Sequence, residues 1–144
     1  MAGFGDTFEA DLLKLIFQAI AIANIADDAG SSPLTELHVA IHTADPTDAG
    51  DQSSNECAYT SYARVAVART SGGWSIAGSV ISNVGAINFP QCTGGSEQAT
   101  HVSIGIAASG AGKILAHGPL DSSLNISNGI TPSFAAGVLD ITLD

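Results

Sequence analysis

Hydrophobic and polar residues alternate most clearly at Leu37–His42, where a period of two predicts a β-strand. Leu37, Val39 and Ile41 would face a core. The alternate residues, His38, Ala40 and His42, would lie on a face that is left free. The same alternation predicts a second strand at Tyr62–Val67. The acidic loop between them, residues 43–61, is rich in Asp, Pro, Gly, Ser and Asn. Ordered loops of this length are uncommon and are usually functional or disordered, so we expect this one to contact a partner.

Residues 6–23 predict the one helix. Asp6 would cap its N-terminus, and Glu9 would reach back to the cap. Its polar positions form one narrow stripe, so the remaining apolar surface must be covered on more than one side. We expect a neighbouring subunit to cover part of it, although a helix enclosed between two layers of one domain also explains the pattern. The predicted interface residues are Phe8, Leu12, Leu13, Ile16, Phe17 and Ile20.

Short alternating segments and turn residues continue to the C-terminus. In the strand at 100–106 we expect Val102, Ile104 and Ile106 to face inward; a glycine-rich hairpin loop follows at 107–112. Gly118–Pro119 would end the return strand, and Asn128–Gly129 favours a tight turn. One helix and about eight short strands predict a mainly β chain: an antiparallel β-sandwich or jelly-roll-like domain with one N-terminal α-helix. We divide it into the amphipathic helix and linker, 1–35, and the β-sandwich domain, 36–144.

Charge limits the kinds of partner. Fourteen acidic residues against four basic ones give a net charge of −10, which repels nucleic acid and anionic membranes and favours basic partners. Keeping the chain in solution is an equally simple role for the acid. Cys57 and Cys92 form neither a disulfide framework nor a metal spacing, so we expect free thiols. We expect no signal peptide and no segment that spans a bilayer.

Several short patterns resemble chemical sites and fail on spacing. Residues 105–113 lack the glycine and the Ser or Thr that a phosphate loop needs. On a strand, His38 and His42 would be about 13 Å apart, too far to share a metal. His101 and His117 could approach each other across a hairpin, more as a polar contact than as ligands. We therefore expect no catalytic residues, no cofactor and no metal, with one alternative left open: calcium at Asp45, Asp48, Asp51 and Glu56.

Arg64 is one of only four basic residues and is flanked by apolar strand positions. A cation in that setting predicts a paired acid, and Glu56 or an Asp of residues 45–51 is the obvious partner. Such a pair would hold the long loop against the sheet. The alternative is a salt bridge to another subunit.

Segments from three parts of the chain together resemble small bacteriophage structural proteins. They are His38–Pro46 with Asn55–Glu56 and Tyr62–Val67, then Ile87–Pro90, Thr100–His101 and Ile104–Ile106, and finally Ser127–Gly137. Proteins of this kind are commonly labelled tail-fibre proteins, and similar small β-domains serve as cement on capsids. The resemblance implies a virion component assembled in the host cytoplasm, and it carries no catalytic residue.

We expect a non-enzymatic virion protein that forms a homo-oligomer, a trimer or a dimer. The favoured role is a capsid cement that bridges subunits of the major capsid protein, because small added contacts are repeated many times over a shell. The alternative is a tail or tail-fibre component, whose loops at 43–61 and 91–98 would contact a neighbouring tail protein or the host surface.

Overall fold

The computed structural model describes residues 6–22 and 34–142, except for the side chains of residues 6–8. Within these residues one helix precedes nine strands: α1 (Asp6–Gln18), β1 (Glu36–His42), β2 (Val65–Ala68), β3 (Trp74–Ala77), β4 (Val80–Asn83), β5 (Ile87–Asn88), β6 (Ser96–Gly105), β7 (Ile114–Ser127), β8 (Ser133–Phe134) and β9 (Asp140–Thr142). The strands form three sheets, ordered β2-β1-β6-β7, β3-β4-β9 and β5-β8. The predicted class, mainly antiparallel β with one N-terminal helix, is confirmed.

The chain divides into two compact units. Unit 1 contains Met1–Glu36, Ala68–Ala86 and Phe134–Asp144; unit 2 contains Leu37–Val67 and Ile87–Ser133. Unit 1 therefore includes α1 together with β3, β4 and β9. The predicted boundary between residues 35 and 36 stays a prediction.

In unit 1, α1 packs on Trp74 of β3. The ring of Phe17 meets the Trp74 indole edge to face at a centroid distance of 5.1 Å, and Gln18 Nε2 donates to the Trp74 carbonyl at 3.0 Å. Leu13, one turn before Phe17, is also buried. Nothing in the described residues is a helix long and apolar enough to cross a membrane.

The helix is shorter than predicted, because it ends at Gln18. Ala19 adopts a left-handed backbone with φ of 56°, which stops the helix, and residue 23 lies outside the described residues. The Arg69 guanidinium donates to the carbonyls of Leu15 and Ile16 and also, at 3.0 Å, to that of Leu34. A cation thus satisfies carbonyls at the negative end of the helix. The Asp6 side chain, predicted to cap the other end, lies outside the described residues.

The sheet of unit 2 is buried on both faces of β1. Strand β1 pairs antiparallel with β6, from His38 opposite Gly105 to His42 opposite His101. The apolar face is confirmed, since Leu37, Val39 and Ile41 are buried. The prediction that the other face stays free is wrong, because Ala40 and His42 are fully buried as well. Residues 43–61 fold back over that face.

Strand β7 continues through Gly118–Pro119, where the sequence predicted its end. Proline is tolerated because β7 is an edge strand of the four-stranded sheet. Opposite Thr100, residues 120–123 bulge out of the pairing between Ala99–Leu124 and His101–Pro119. The hairpin between β6 and β7 is confirmed, but Ile106 is 37% exposed rather than inward.

The tight turn at Asn128–Gly129 is confirmed. The Ile130 N–H donates to the Ser127 carbonyl at 2.9 Å, and Gly129 has a φ of +91°, a conformation that glycine adopts without strain.

Candidate functional site: the folded-back loop

The loop of residues 43–61, called here the folded-back loop, is closed at its neck by the end of β1. The Thr43 N–H donates to the Asn55 carbonyl at 2.8 Å, and the Cys57 N–H donates to the Ile41 carbonyl at 2.9 Å. Long loops whose ends meet in this way can pack on themselves and are often functional. The predicted contact loop is therefore an ordered surface rather than a loose connection.

Gln52 anchors the middle of the folded-back loop and was missed by the sequence analysis. Its side chain is fully buried, with Nε2 donating to the His38 carbonyl at 2.9 Å and Oε1 accepting from the Ala107 N–H at 3.1 Å. Its backbone N–H donates to the Gly112 carbonyl at 2.9 Å. Gly105 leaves the space for this amide, because a Cβ there would lie 2.2 Å from Gln52 Cδ. Glycine inside a strand was the one available signal of such a close approach.

Arg64 joins Glu56 in a bidentate ion pair inside the chain. Nε lies 2.7 Å from Glu56 Oε1 and Nη2 lies 2.8 Å from Oε2, while the Arg64 side chain is only 1% exposed. The other donors reach the carbonyls of Ala107 and Gly110, at 2.9 and 2.6 Å, and Gln52 Oε1 at 3.4 Å. All five N–H groups of the guanidinium thus have acceptors. Hydrogen bonding to Glu56 is the main cause that raises the pKa of Arg64.

His42 joins the sheet to the folded-back loop, and its imidazole ring is neutral. Its Nδ1 lies 2.9 Å from the Ser54 carbonyl, which can only accept, so the proton is assigned to Nδ1. Nε2 then accepts from the Ser103 hydroxyl at 2.8 Å. Burial lowers the pKa of His42 below 6.5, with smaller downward contributions from Arg64 and His101; the Ser54 hydrogen bond and Glu56 oppose the shift in part.

A second carboxylate holds the end of the folded-back loop. Glu97 of β6 accepts hydrogen bonds from the backbone N–H groups of Ala58 and Tyr59 at 2.9 and 3.0 Å. The Tyr59 hydroxyl donates to the Pro90 carbonyl at 2.8 Å.

Residues 60–61 also meet the second predicted contact loop, 91–98. The Thr60 N–H donates to the Gly94 carbonyl at 3.0 Å, and the Ser61 and Thr93 hydroxyls are 2.6 Å apart. The two loops that the sequence predicted as contact segments therefore lie side by side in unit 2.

The outer end of the folded-back loop carries exposed acid next to His117 of β7. The Asp48 side chain is fully exposed, and its Oδ1 lies 3.0 Å from His117 Nε2. Asp45 Oδ1 lies 3.4 Å from Nδ1 of the same ring. Across the hairpin, His117 is opposite Ser103 and His101 is opposite Pro119, so the two histidines do not face each other directly.

Among residues 6–22 and 34–142, no three His, Cys, Asp or Glu side chains gather closely enough to hold a metal ion. The loop at 107–112 points carbonyl oxygens at Arg64, whereas a phosphate-binding loop points N–H groups at its ligand.

Cys57 and Cys92 are buried free thiols, as predicted. Burial raises the pKa of Cys57 to about 12, so this thiol stays protonated and unreactive at neutral pH.

The predicted interface of α1 stays a prediction. Leu13 and Phe17 are buried within unit 1 and have little surface left for a partner. Leu12 and Ile16 are half-buried, and Ile20 is exposed. The Phe8 side chain lies outside the described residues.

Comparison with protein families gives one match. A family model described as Podophage GP4 fiber I protein gp80 matches residues 3–142 of the chain. The matched segment includes α1 and all nine strands of the described residues. No curated protein matches the chain.

Substituting Arg64→Ala removes the guanidinium from Glu56, which keeps only the hydrogen bond from the Tyr62 hydroxyl, and takes the donor away from the Ala107 and Gly110 carbonyls. Removing one partner of a buried pair costs about 3 kcal/mol or more, and we expect a loss of this size in the free energy of unfolding measured with urea. Lys14→Ala is the matched control, because Lys14 and Asp11 form an exposed pair at 3.3 Å, and we expect it to change stability little. Equal effects of the two substitutions would contradict the role assigned to Arg64.

Two glycine substitutions test the close approach of Gln52. Gly105→Ala would place a Cβ 2.2 Å from Gln52 Cδ and 2.6 Å from the Lys113 carbonyl, whereas Gly118→Ala meets nothing within 4 Å. We expect thermal unfolding to show a loss of about 2 kcal/mol for Gly105→Ala and little change for Gly118→Ala. Similar stabilities for both variants would show that Gln52 is not packed against this strand.

Low pH should reduce the free energy of unfolding through protonation of His42. Because its folded pKa lies below 6.5, its contribution to stability is complete above pH 6.5 and declines as the pH falls toward the folded value. We expect the free energy of unfolding to fall more steeply below pH 6.5 in wild type than in His42→Asn, which cannot take up the proton. His38→Asn serves as control and should follow the wild-type slope. Parallel profiles for wild type and His42→Asn would refute the assignment.

Proposed function

Because the chain belongs to the Podophage GP4 fiber I protein gp80 family, we propose that it is a structural component of a phage tail fibre. The family match over residues 3–142 establishes a bacteriophage virion structural protein and confirms the resemblance found in the sequence. It supports the fibre alternative better than the capsid cement role that the sequence favoured. That match is the observation that carries the proposal.

We further propose that the protein acts without catalysis. Its most distinctive polar side chains in the described residues are used to hold backbone: Gln52, Glu56 and Arg64 bind each other and the neighbouring loops. His42, the residue type most often used in acid-base catalysis, is buried between Ser54 and Ser103. Groups so occupied support a structural role.

The charges favour a basic or uncharged partner within the fibre. Of the four basic residues, Arg64 is paired with Glu56, Lys14 with Asp11, and Arg69 with backbone carbonyls; Lys113 is the fourth. The remaining acid gives the surface a negative field, which would repel nucleic acid and anionic membranes. A neighbouring tail protein is the partner we propose for this acidic surface.

The folded-back loop together with residues 91–95 is the contact surface that fits best. Three residues of the loop are already held in place: Gln52 donates to the His38 carbonyl, Glu56 accepts from Arg64, and the Tyr59 N–H donates to Glu97. A surface ordered before binding loses less conformational entropy when it meets a partner, so the contact can be tight without being large.

Copy number and position on the particle test the fibre assignment. We expect quantitative mass spectrometry of purified particles to find far fewer copies than of the coat protein, and gold-labelled antibodies to mark the tail. As controls, the coat protein should be marked over the shell and a known tail protein at the tail. A ratio close to that of the coat protein, with label over the shell, would instead support the capsid cement role and overturn the fibre proposal.

A further inference from the structure

His117 connects the edge strand of unit 2 to the outer end of the folded-back loop. Its ring is only 19% exposed, and each nitrogen faces a different carboxylate: Nε2 is 3.0 Å from Asp48 Oδ1, and Nδ1 is 3.4 Å from Asp45 Oδ1. The first contact is a hydrogen bond; the second is electrostatic, because Nδ1 has no hydrogen-bond partner. The ring thus bridges two residues of the loop from one position on β7.

This geometry suits the imidazolium form. A neutral imidazole carries one N–H, so its other nitrogen would turn a lone pair toward a carboxylate, which can only accept. Asp45 Oδ1 also accepts from the Thr47 N–H at 2.8 Å, which fixes the carboxylate in place. Only the protonated ring is attracted to both acids at once.

The segment held by His117 has a strained backbone. Thr47 has a φ of 63°, in the left-handed region that β-branched residues rarely adopt. The turn is also tight at Gly50, where a Cβ would lie 1.9 Å from the Pro46 carbonyl oxygen. The Gly50 N–H closes it by donating to the Thr47 carbonyl at 3.1 Å. Strain of this kind persists only where neighbouring contacts impose it, so weakening the His117 contact should open the turn.

Other titratable groups face the ring from the sheet. On β6, Ser103 lies directly opposite His117 and His101 is two residues away. Behind Ser103, on β1, is His42, which is kept neutral by burial. The acids on the loop side are Asp45 and Asp48. The attraction to the loop therefore comes from these two carboxylates.

We propose that His117 is a pH-sensitive latch. Its imidazolium ties the segment Asp45–Asp48 to β7, and loss of the ring proton releases that segment. Histidine is the side chain whose charge ordinarily changes between about pH 5 and 8. The latch goes beyond the proposed fibre role, because it makes the mobility of one loop segment depend on acidity.

Amide hydrogen exchange of the purified full chain tests the latch at the Thr47 and Gly50 N–H groups. After correction for the intrinsic pH dependence of exchange, we expect wild type to open on the order of two times more often at pH 8 than at pH 5.5, as suits an exposed ion pair. His117→Gln should show the high-pH opening at both pH values. Asp48→Asn alters a fully exposed residue and should reduce the response without affecting amides of β6.

His38→Gln is the matched control, since it removes a histidine from the same sheet and should keep the wild-type response. An unchanged opening of Thr47 and Gly50 between pH 5.5 and pH 8 in wild type would overturn the proposal. So would a response that persists in His117→Gln. Neither result depends on where the protein lies in the virion, so the latch and the fibre assignment can fail separately.

Discussion

The buried ion pair between Arg64 and Glu56 is the interaction on which the order of unit 2 depends. A guanidinium taken out of water is costly unless every donor is satisfied, and here the carboxylate, two loop carbonyls and the Gln52 amide satisfy them all. Because those acceptors come from the folded-back loop and from the loop after β6, the pair fixes both segments at once. If either segment moved away, the buried guanidinium would lose hydrogen-bond acceptors and keep its charge unpaired.

This arrangement explains how a long acidic loop without regular structure becomes part of the fold. Ordering each residue costs backbone entropy of about 1–2 kcal/mol, so the loop needs many compensating contacts. Gln52, His42 and Glu97 supply them at separate points along it. The loop then covers a sheet face that would otherwise present His42 and Ala40 to solvent, and its outer side remains available for a partner.

The sequence predicts local features well and distant contacts poorly. The alternation in β1, the turn at Asn128–Gly129 and the pairing of Arg64 with a nearby acid all follow from rules that act over a few residues. The cover on the second face of the sheet does not, because it depends on Gln52 meeting Gly105, far along the chain. Likewise, Pro119 predicts a strand end unless the position of β7 at the sheet edge is known. The helix ends just before Ala19, where the sequence has neither the glycine nor the proline that usually marks a helix end.

Arg69 joins two segments that are distant in sequence. A single guanidinium binds the carbonyls of Leu15 and Ile16 near the end of α1 and that of Leu34 just before β1. The planar, forked arrangement of its donors is what lets one side chain serve three carbonyls, and an ammonium group lacks that geometry. Exchanging Arg69 for lysine would therefore keep the positive charge at the helix end and lose the link from the helix to the residues that lead into β1.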